Sequence, residues 1–290
     1  MQPKEGDAPG AKPAPDESAP KDLSPSNGSG PSASFGNMLA GMGRAVTALA
    51  SDLGGIVVLL FRTLACLIPP RIDSQQFSRS LYKMGNESVP IVSLTAFFAG
   101  GIMVVQAGVF VKRFGATSMV GWGAGYSVLR EIGPILIGLM FSGRVGSNNT
   151  AELGTMQVTE QIDGLRALSI EPISYLVAPR VLAMMILLFL LTIIGDLVAI
   201  SGAALFGKLM LGVEFGVFWT SFITSLGLAD LFHGLVKAAF FGGIIALTSC
   251  HYGITVKGGA VGVGKAVNSA VVASALGIVL ADYFLTFLMS

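Results

Sequence analysis

The sequence predicts an all-α, polytopic membrane protein, and three observations carry that prediction. Only 12% of the 290 residues are charged while 52% are hydrophobic; a soluble domain carries about 25% charge. Eight of the 35 charges (18 Lys+Arg, 17 Asp+Glu) fall in residues 1–34, which leaves 27 for the other 256 residues. Those 27 are separated by long uncharged blocks, and the mean hydropathy is +0.73. Such a composition excludes a disordered chain, a basic nucleic-acid binder and a disulfide scaffold. The net charge of +1 implies no bulk attraction to an acidic partner. Cys66 and Cys250 sit in apolar runs, form no CxxC site and read as buried thiols.

Residues 1–34 differ from the rest. They hold seven of the 13 prolines and no aromatic residue, so they are expected to form a disordered tail. No apolar run follows a basic start, and the segment lacks arginine, so neither a secretory signal nor a transit peptide is expected. Residues 35–70 read as a helix. At about 100° per residue, Arg44 and Arg62 fall on one line with Asp52 close by, and Val46, Leu49, Leu53, Val57, Leu60 and Leu64 cluster opposite. One charged stripe and one apolar face describe a helix lying in the membrane interface, stopped by Pro69-Pro70. The alternative, a span over 53–68, places Arg62 inside the bilayer at high cost.

Five stretches have spanning length. Between Glu87 and Lys112 lie 24 uncharged residues, about 36 Å of helix against a hydrocarbon core of about 30 Å. The others run roughly over 129–149, 175–206, 228–251 and 268–289. Residues 114–128 are apolar but glycine-rich and are expected to form a surface loop or half-helix. Counting Lys and Arg near span ends, a cytoplasmic N-terminus puts eight inside (Arg71, Arg79, Lys83, Arg144, Arg166, Arg180, Lys257, Lys265) and four outside (Lys112, Arg113, Arg130, Lys208). That asymmetry favours N-inside and, with five spans, C-outside. Glycines such as Gly100, Gly101, Gly202 and Gly242 lie where small residues let helices approach, within one chain or between two copies.

Catalytic signatures are missing from the sequence: no HExxH, no Cys/His cluster, no GxSxG, and hence no enzyme, metal or cofactor expectation. His233, three residues after Asp230, reads as an ion-pair or buried histidine. Residues 259–266 fit GxxxxGK, but Ala266 stands where a P-loop needs the Ser or Thr hydroxyl that holds Mg²⁺, so a flexible turn is expected there. The Asn-x-Ser/Thr triplets at Asn86 and Asn148 are discounted because both fall on the cytoplasmic side. The informative segment is 130–172. Arg130-Glu131 open an apolar span that closes at Ser142-Gly143-Arg144, and a second helical pattern follows with Val158, Ile162 and Leu165 at i, i+4, i+7. Glu160, Gln161, Asp163 and Arg166 occupy its other faces. A short amphipathic helix of this kind suits docking on another protein, or simply lies in the interface.

LREIGPILIGLMFSGRVGSNNTAELGTMQVTEQIDGL, then LSIEPISYLVAPR, resembles the MlaE-type permease of ABC lipid transporters that work with MCE proteins. The resemblance covers about residues 38–290, including the interfacial helix and the closing LADYFLTFLM; the proline-rich tail departs from it. It implies a transmembrane permease domain over 71–290, assembled as a homodimer in the bacterial inner membrane. It also implies phospholipid-like substrates, a periplasmic MCE ring and two copies of a separate cytoplasmic ABC ATPase, with a small STAS-type cytoplasmic subunit as a further partner of such systems. By the same resemblance, residues 155–168 are the coupling helix, contacting the ATPase through Glu160, Gln161, Asp163, Leu165 and Arg166. Arg130 and Glu131 are placed near the cavity between subunits, with an intrachain ion pair as the alternative. Met103, Ala107, Phe110, Val111 and Phe114 form a helical stripe on the first span; plain packing and bulk-lipid exposure explain such a stripe equally, and the resemblance adds lipid contact. A secondary transporter or channel for lipids or other hydrophobes, working without an ATPase, would show more embedded ionisable residues than Asp196, Asp230, Lys237 and Asp282, and an internal repeat.

Overall fold

The structure is a computed structural model describing residues 31–67, 74–115 and 119–289. Side chains at 67, 74, 110–112 and 114, and most of those before 50, lie outside the described set. Every regular element among the described residues is a helix: α1 (Pro31–Leu67), α2 (Ser74–Asn86), α3 (Val89–Phe114), α4 (Val120–Ser127), α5 (Gly133–Phe141), α6 (Ser147–Val158), α7 (Gln161–Ala167), α8 (Ala178–Leu211), α9 (Phe215–Ser225), α10 (Leu228–Ile254) and α11 (Gly259–Met289). The tail reading falls on residues 1–30, outside the described set, and its last four residues belong instead to α1. Pro69-Pro70 also lie outside it. Residues up to Ser51 form a unit by themselves, and Asp52–Ser290 form a second.

Among the described residues, five helical stretches are long and apolar enough to cross a membrane: Val89–Val109, Val120–Val158, Ile173–Leu211, Leu228–Ile254 and Gly259–Met289. The second is α4, α5 and α6 run end to end through two wide, π-type turns at Val128–Ile132 and Ser142–Gly146. Of the two forms expected for 114–128, a surface loop or a half-helix, the described residues from Val120 take the helical one, and α4 leads straight into the span. Glycine is a poor helix former, but packing overrides that here: a Cβ on Gly121 would run into the Phe218 carbonyl of α9. The 39 residues of the second and of the third stretch are about 58 Å of helix, nearly twice the hydrocarbon thickness, so both tilt or project.

The spans pack through small residues. Gly100 on α3 lies against the Ala199 carbonyl of α8, and Gly202 on α8 against the Phe97 carbonyl of α3; a Cβ at either would clash with backbone. The main core gathers Phe141, Leu153, Met184, Leu188, Phe241 and Ile245 from α5, α6, α8 and α10. A smaller one joins Val104, Val120, Ala124, Val213 and Phe218 at the end where α4 and α9 lie. From Asp52 on, α1 packs through Ile56, Leu59 and Thr63, and the Tyr252 hydroxyl of α10 donates to Asp52 at 3.0 Å. Its expected apolar face, Leu53, Val57, Leu60 and Leu64, stays uncovered. So does much of α11, where Val272, Leu276, Leu280, Tyr283 and Phe287 are exposed.

Two expectations are corrected. Residues 259–266 are not a flexible turn but the opening of α11; the chain turns as it enters the helix, where Gly258 and the first helical residue, Gly259, have φ of 89° and 66°. Residues 155–168 are not one helix. Glu160 takes φ 59°, left-handed, which ends α6 and restarts the chain as α7. A left-handed residue cannot continue a right-handed helix.

Candidate functional site

The break at Glu160 changes which side chains face out. Ile162 is fully buried and Leu165 half-buried against the core, whereas Val158 turns outward, so the three apolar positions no longer share one face. Glu160, Gln161, Asp163 and Arg166 are exposed, with Arg166 Nη1 donating to Asp163 Oδ1 at 2.8 Å. The hairpin of α6 and α7 thus presents a charged surface while two apolar side chains anchor it.

A charged cleft lies at the same end of the bundle. Lys83 of α2 donates to Glu152 Oε2 at 2.9 Å, and Arg180 of α8 donates to Glu152 Oε1 at 2.8 Å. Arg180 is buried and its other arm donates to Asn149 Oδ1 at 3.0 Å; the Asn149 amide in turn donates to Ser249 Oγ at 2.9 Å. Asn149 and Thr150, read from the sequence only as part of a discounted triplet, are thus interior groups joining α6 to α8 and α10. A cavity of about 330 Å³ opens beside them, lined by Gln76, Arg79, Lys83, Gln161, Tyr175 and Arg180 among others. Sequence reading missed this grouping, and the high density of Lys and Arg on the eight-residue side was its only signal.

Arg130 and Glu131, at the opposite end, sit in the wide turn of the second span, which sends them to different partners. Arg130 lies 3.5 Å from Asp230 Oδ1 and donates to the Tyr126 hydroxyl at 2.9 Å. Glu131 Oε2 accepts from Lys237 Nζ at 2.6 Å. Lys237 is fully buried and also reaches Thr286 Oγ1 at 2.7 Å and Asp282 Oδ1 at 3.0 Å. One ammonium therefore ties the second span, α10 and α11 together. Ions are expensive inside a bilayer and are usually paired there, and both residues have intrachain partners of opposite charge. Gly234 makes room for it, since a Cβ there would strike the Leu129 carbonyl. Asp196, deep in α8, is buried with neither oxygen hydrogen-bonded.

On α3, Met103 is half-buried against Ala96, Val128 and Ala199, and Ala107 is half-buried too. The backbone of Phe110, Val111 and Phe114 continues α3, but their side chains lie outside the described residues. The open apolar line of α3 is Leu94, Phe98, Ile102, Val105 and Val109, spaced i, i+4, i+8, i+11, i+15.

Five apolar helical stretches joined by charged and amphipathic connections define a multi-pass membrane protein. Residues 77–288 match the Permease MlaE family, and the chain belongs to it. It is 38% identical over 250 residues to a probable ABC transporter permease protein of Rickettsia conorii, covering 86% of this chain and 96% of that one. A probable ABC transporter permease protein of Synechocystis is 37% identical over 223 residues, 77% of this chain and 85% of the relative. The chloroplastic protein TRIGALACTOSYLDIACYLGLYCEROL 1 of Arabidopsis thaliana is 36% identical over 223 residues, 76% of this chain and 63% of that protein.

Proposed function

We propose that this chain is the membrane subunit of an ABC transporter that moves phospholipids or similar lipids between the bacterial inner membrane and a periplasmic MCE protein. Two copies pair, and two copies of a cytoplasmic ATPase supply the energy. The observation that carries this reading is the α6–α7 hairpin: four charged or polar side chains, Glu160, Gln161, Asp163 and Arg166, stand out on a base fixed by Ile162 and Leu165. A rigid polar projection at one end of an apolar bundle is a means of receiving mechanical work from a partner. The surplus of Lys and Arg at that end supports a cytoplasmic placement. Lipid tails need only apolar lining, which the uncovered faces of α3 and α11 offer; Phe110, Val111 and Phe114 extend the stripe begun by Met103 and Ala107.

Replacing Glu160 and Asp163 together with Lys tests the reading. Copurification with the ATPase and lipid-stimulated ATP hydrolysis are expected to fall; if both stay unchanged, α7 is not the point of energy input. A photo-crosslinker at Phe110 or Phe114 is expected to capture phospholipid more than one at Leu190, an exposed position on another span. Equal capture would place the lipid path elsewhere.

A further inference from the structure

We propose that the cleft between α2, α6, α7 and α8 binds a phosphate-monoester group. This inference does not depend on what the transport path carries. A volume of about 330 Å³ lies in the range of small-ligand sites, about 300–1,000 Å³.

Charge selects the ligand class. Arg79, Lys83 and Arg180 line the cleft against a single carboxylate, Glu152, which leaves a surplus of two positive charges. Glu152 holds the other two cations side by side, accepting from Lys83 on one oxygen and from Arg180 on the other. A phosphate monoester carries about −1.5 to −2 near neutral pH and matches that surplus. A phosphodiester or a carboxylate carries one negative charge and leaves one cation unmatched.

Donors are also in place. Arg180 is buried and oriented by Asn149, so its head is fixed before a ligand arrives, which lowers the cost of binding. An ammonium has three donors and a guanidinium five, so Lys83 and Arg180 keep spare N–H groups beyond those given to Glu152 and Asn149. The Tyr175 hydroxyl accepts from Gln76 Nε2 at 3.1 Å, which leaves its own proton available to donate. Gln161 brings α7 into the same wall, so an occupied cleft ties the hairpin to α2 and α8.

Monoester phosphate reaches this cleft from a lipid headgroup or from a soluble ester, and the test separates them. The full chain in nanodiscs is titrated with glycerol 3-phosphate, and in parallel is reconstituted in discs containing phosphatidate or phosphatidylglycerol, with retained lipid read by native mass spectrometry. Saturable binding of glycerol 3-phosphate assigns the soluble source; retention of phosphatidate over phosphatidylglycerol assigns the headgroup. Either is expected to weaken at least about tenfold in Arg79→Gln, the size of one lost charge-assisted hydrogen bond. Arg79 is exposed, so that variant keeps its fold. Lys83→Gln serves as the second variant and is expected to weaken binding similarly. No saturable glycerol 3-phosphate binding together with no preference for phosphatidate over phosphatidylglycerol would overturn the site, and so would binding that is unchanged in both variants.

Discussion

The two ends of the bundle hold similar polar clusters in opposite settings. At the α2–α7 end, Lys83 and Arg180 share Glu152, and the Lys83 and Glu152 side chains remain 50% and 38% exposed. At the other end Lys237 is shared by Glu131 and Asp282, with its own side chain 2% exposed. The first cluster has cations in excess and borders a cavity; the second, with Arg130 and Asp230, has three carboxylates against two cations and opens onto none of the cavities described. Similar bond lengths therefore serve different ends. Where water reaches, a pair adds little stability and leaves charge over for a ligand. Where the shared cation itself is shut in, as Lys237 is, the pair becomes a joint whose loss leaves two carboxylates without their counter-ion.

That contrast is broken most directly at Lys237. Lys237→Met leaves Glu131 and Asp282 without their shared cation, and removing one partner of a buried pair costs about 3–5 kcal/mol. The expected outcome is a large drop in the thermal unfolding midpoint in detergent; a midpoint near wild type would mean the far cluster is no joint. Gly234→Ala sharpens the point from the backbone side. A methyl against the Leu129 carbonyl pushes α10 away from the wide turn that carries Glu131, at about 1–3 kcal/mol for such overpacking, measured by the same melt. Arg180→Ala strips the acceptor Asn149 Oδ1 of its donor, for a loss of about 1–3 kcal/mol. Lys83→Met is expected to change stability least, by about 0–1 kcal/mol, as for exposed ion pairs. If Lys83→Met matched Lys237→Met in the melt, the two clusters would be energetically alike and the distinction would fail.

Most of the helical layout was readable in advance because apolar stretches of spanning length, carrying few charges, recur along the chain, and the five spans overlap those stretches. Pairing was not readable. Glu131 and Lys237 are 106 residues apart and Lys83 and Glu152 are 69 apart, and nothing along the chain says which azimuths meet. Even within one span the 3.6-residue period misleads, because the wide turns at 128–132 and 142–146 shift it. The glycine-rich stretch before Arg130 left loop and half-helix open for a related reason: Gly121 and Gly125 are contact surfaces for α9, and propensity carries no information about that. The apolar pattern at Val158, Ile162 and Leu165 looked like one helix face until Glu160 turned left-handed, a choice that a glutamate's own preferences do not announce.

The wide turns of the second span have one more consequence, for which insertions and deletions this protein tolerates. A π-type turn closes its hydrogen bond one residue later than an α-turn, so each works as a single-residue insertion absorbed into the rod. Removing one residue from 128–132 would leave an unbroken, well-formed helix, yet it would twist everything on one side by about 100° relative to the other. Glu131 would swing off Lys237 while Phe141, further along, kept its neighbours or lost them all, depending on which half yielded. The span is therefore a crankshaft of three throws, and its length in residues is as constrained as the identity of its charged side chains.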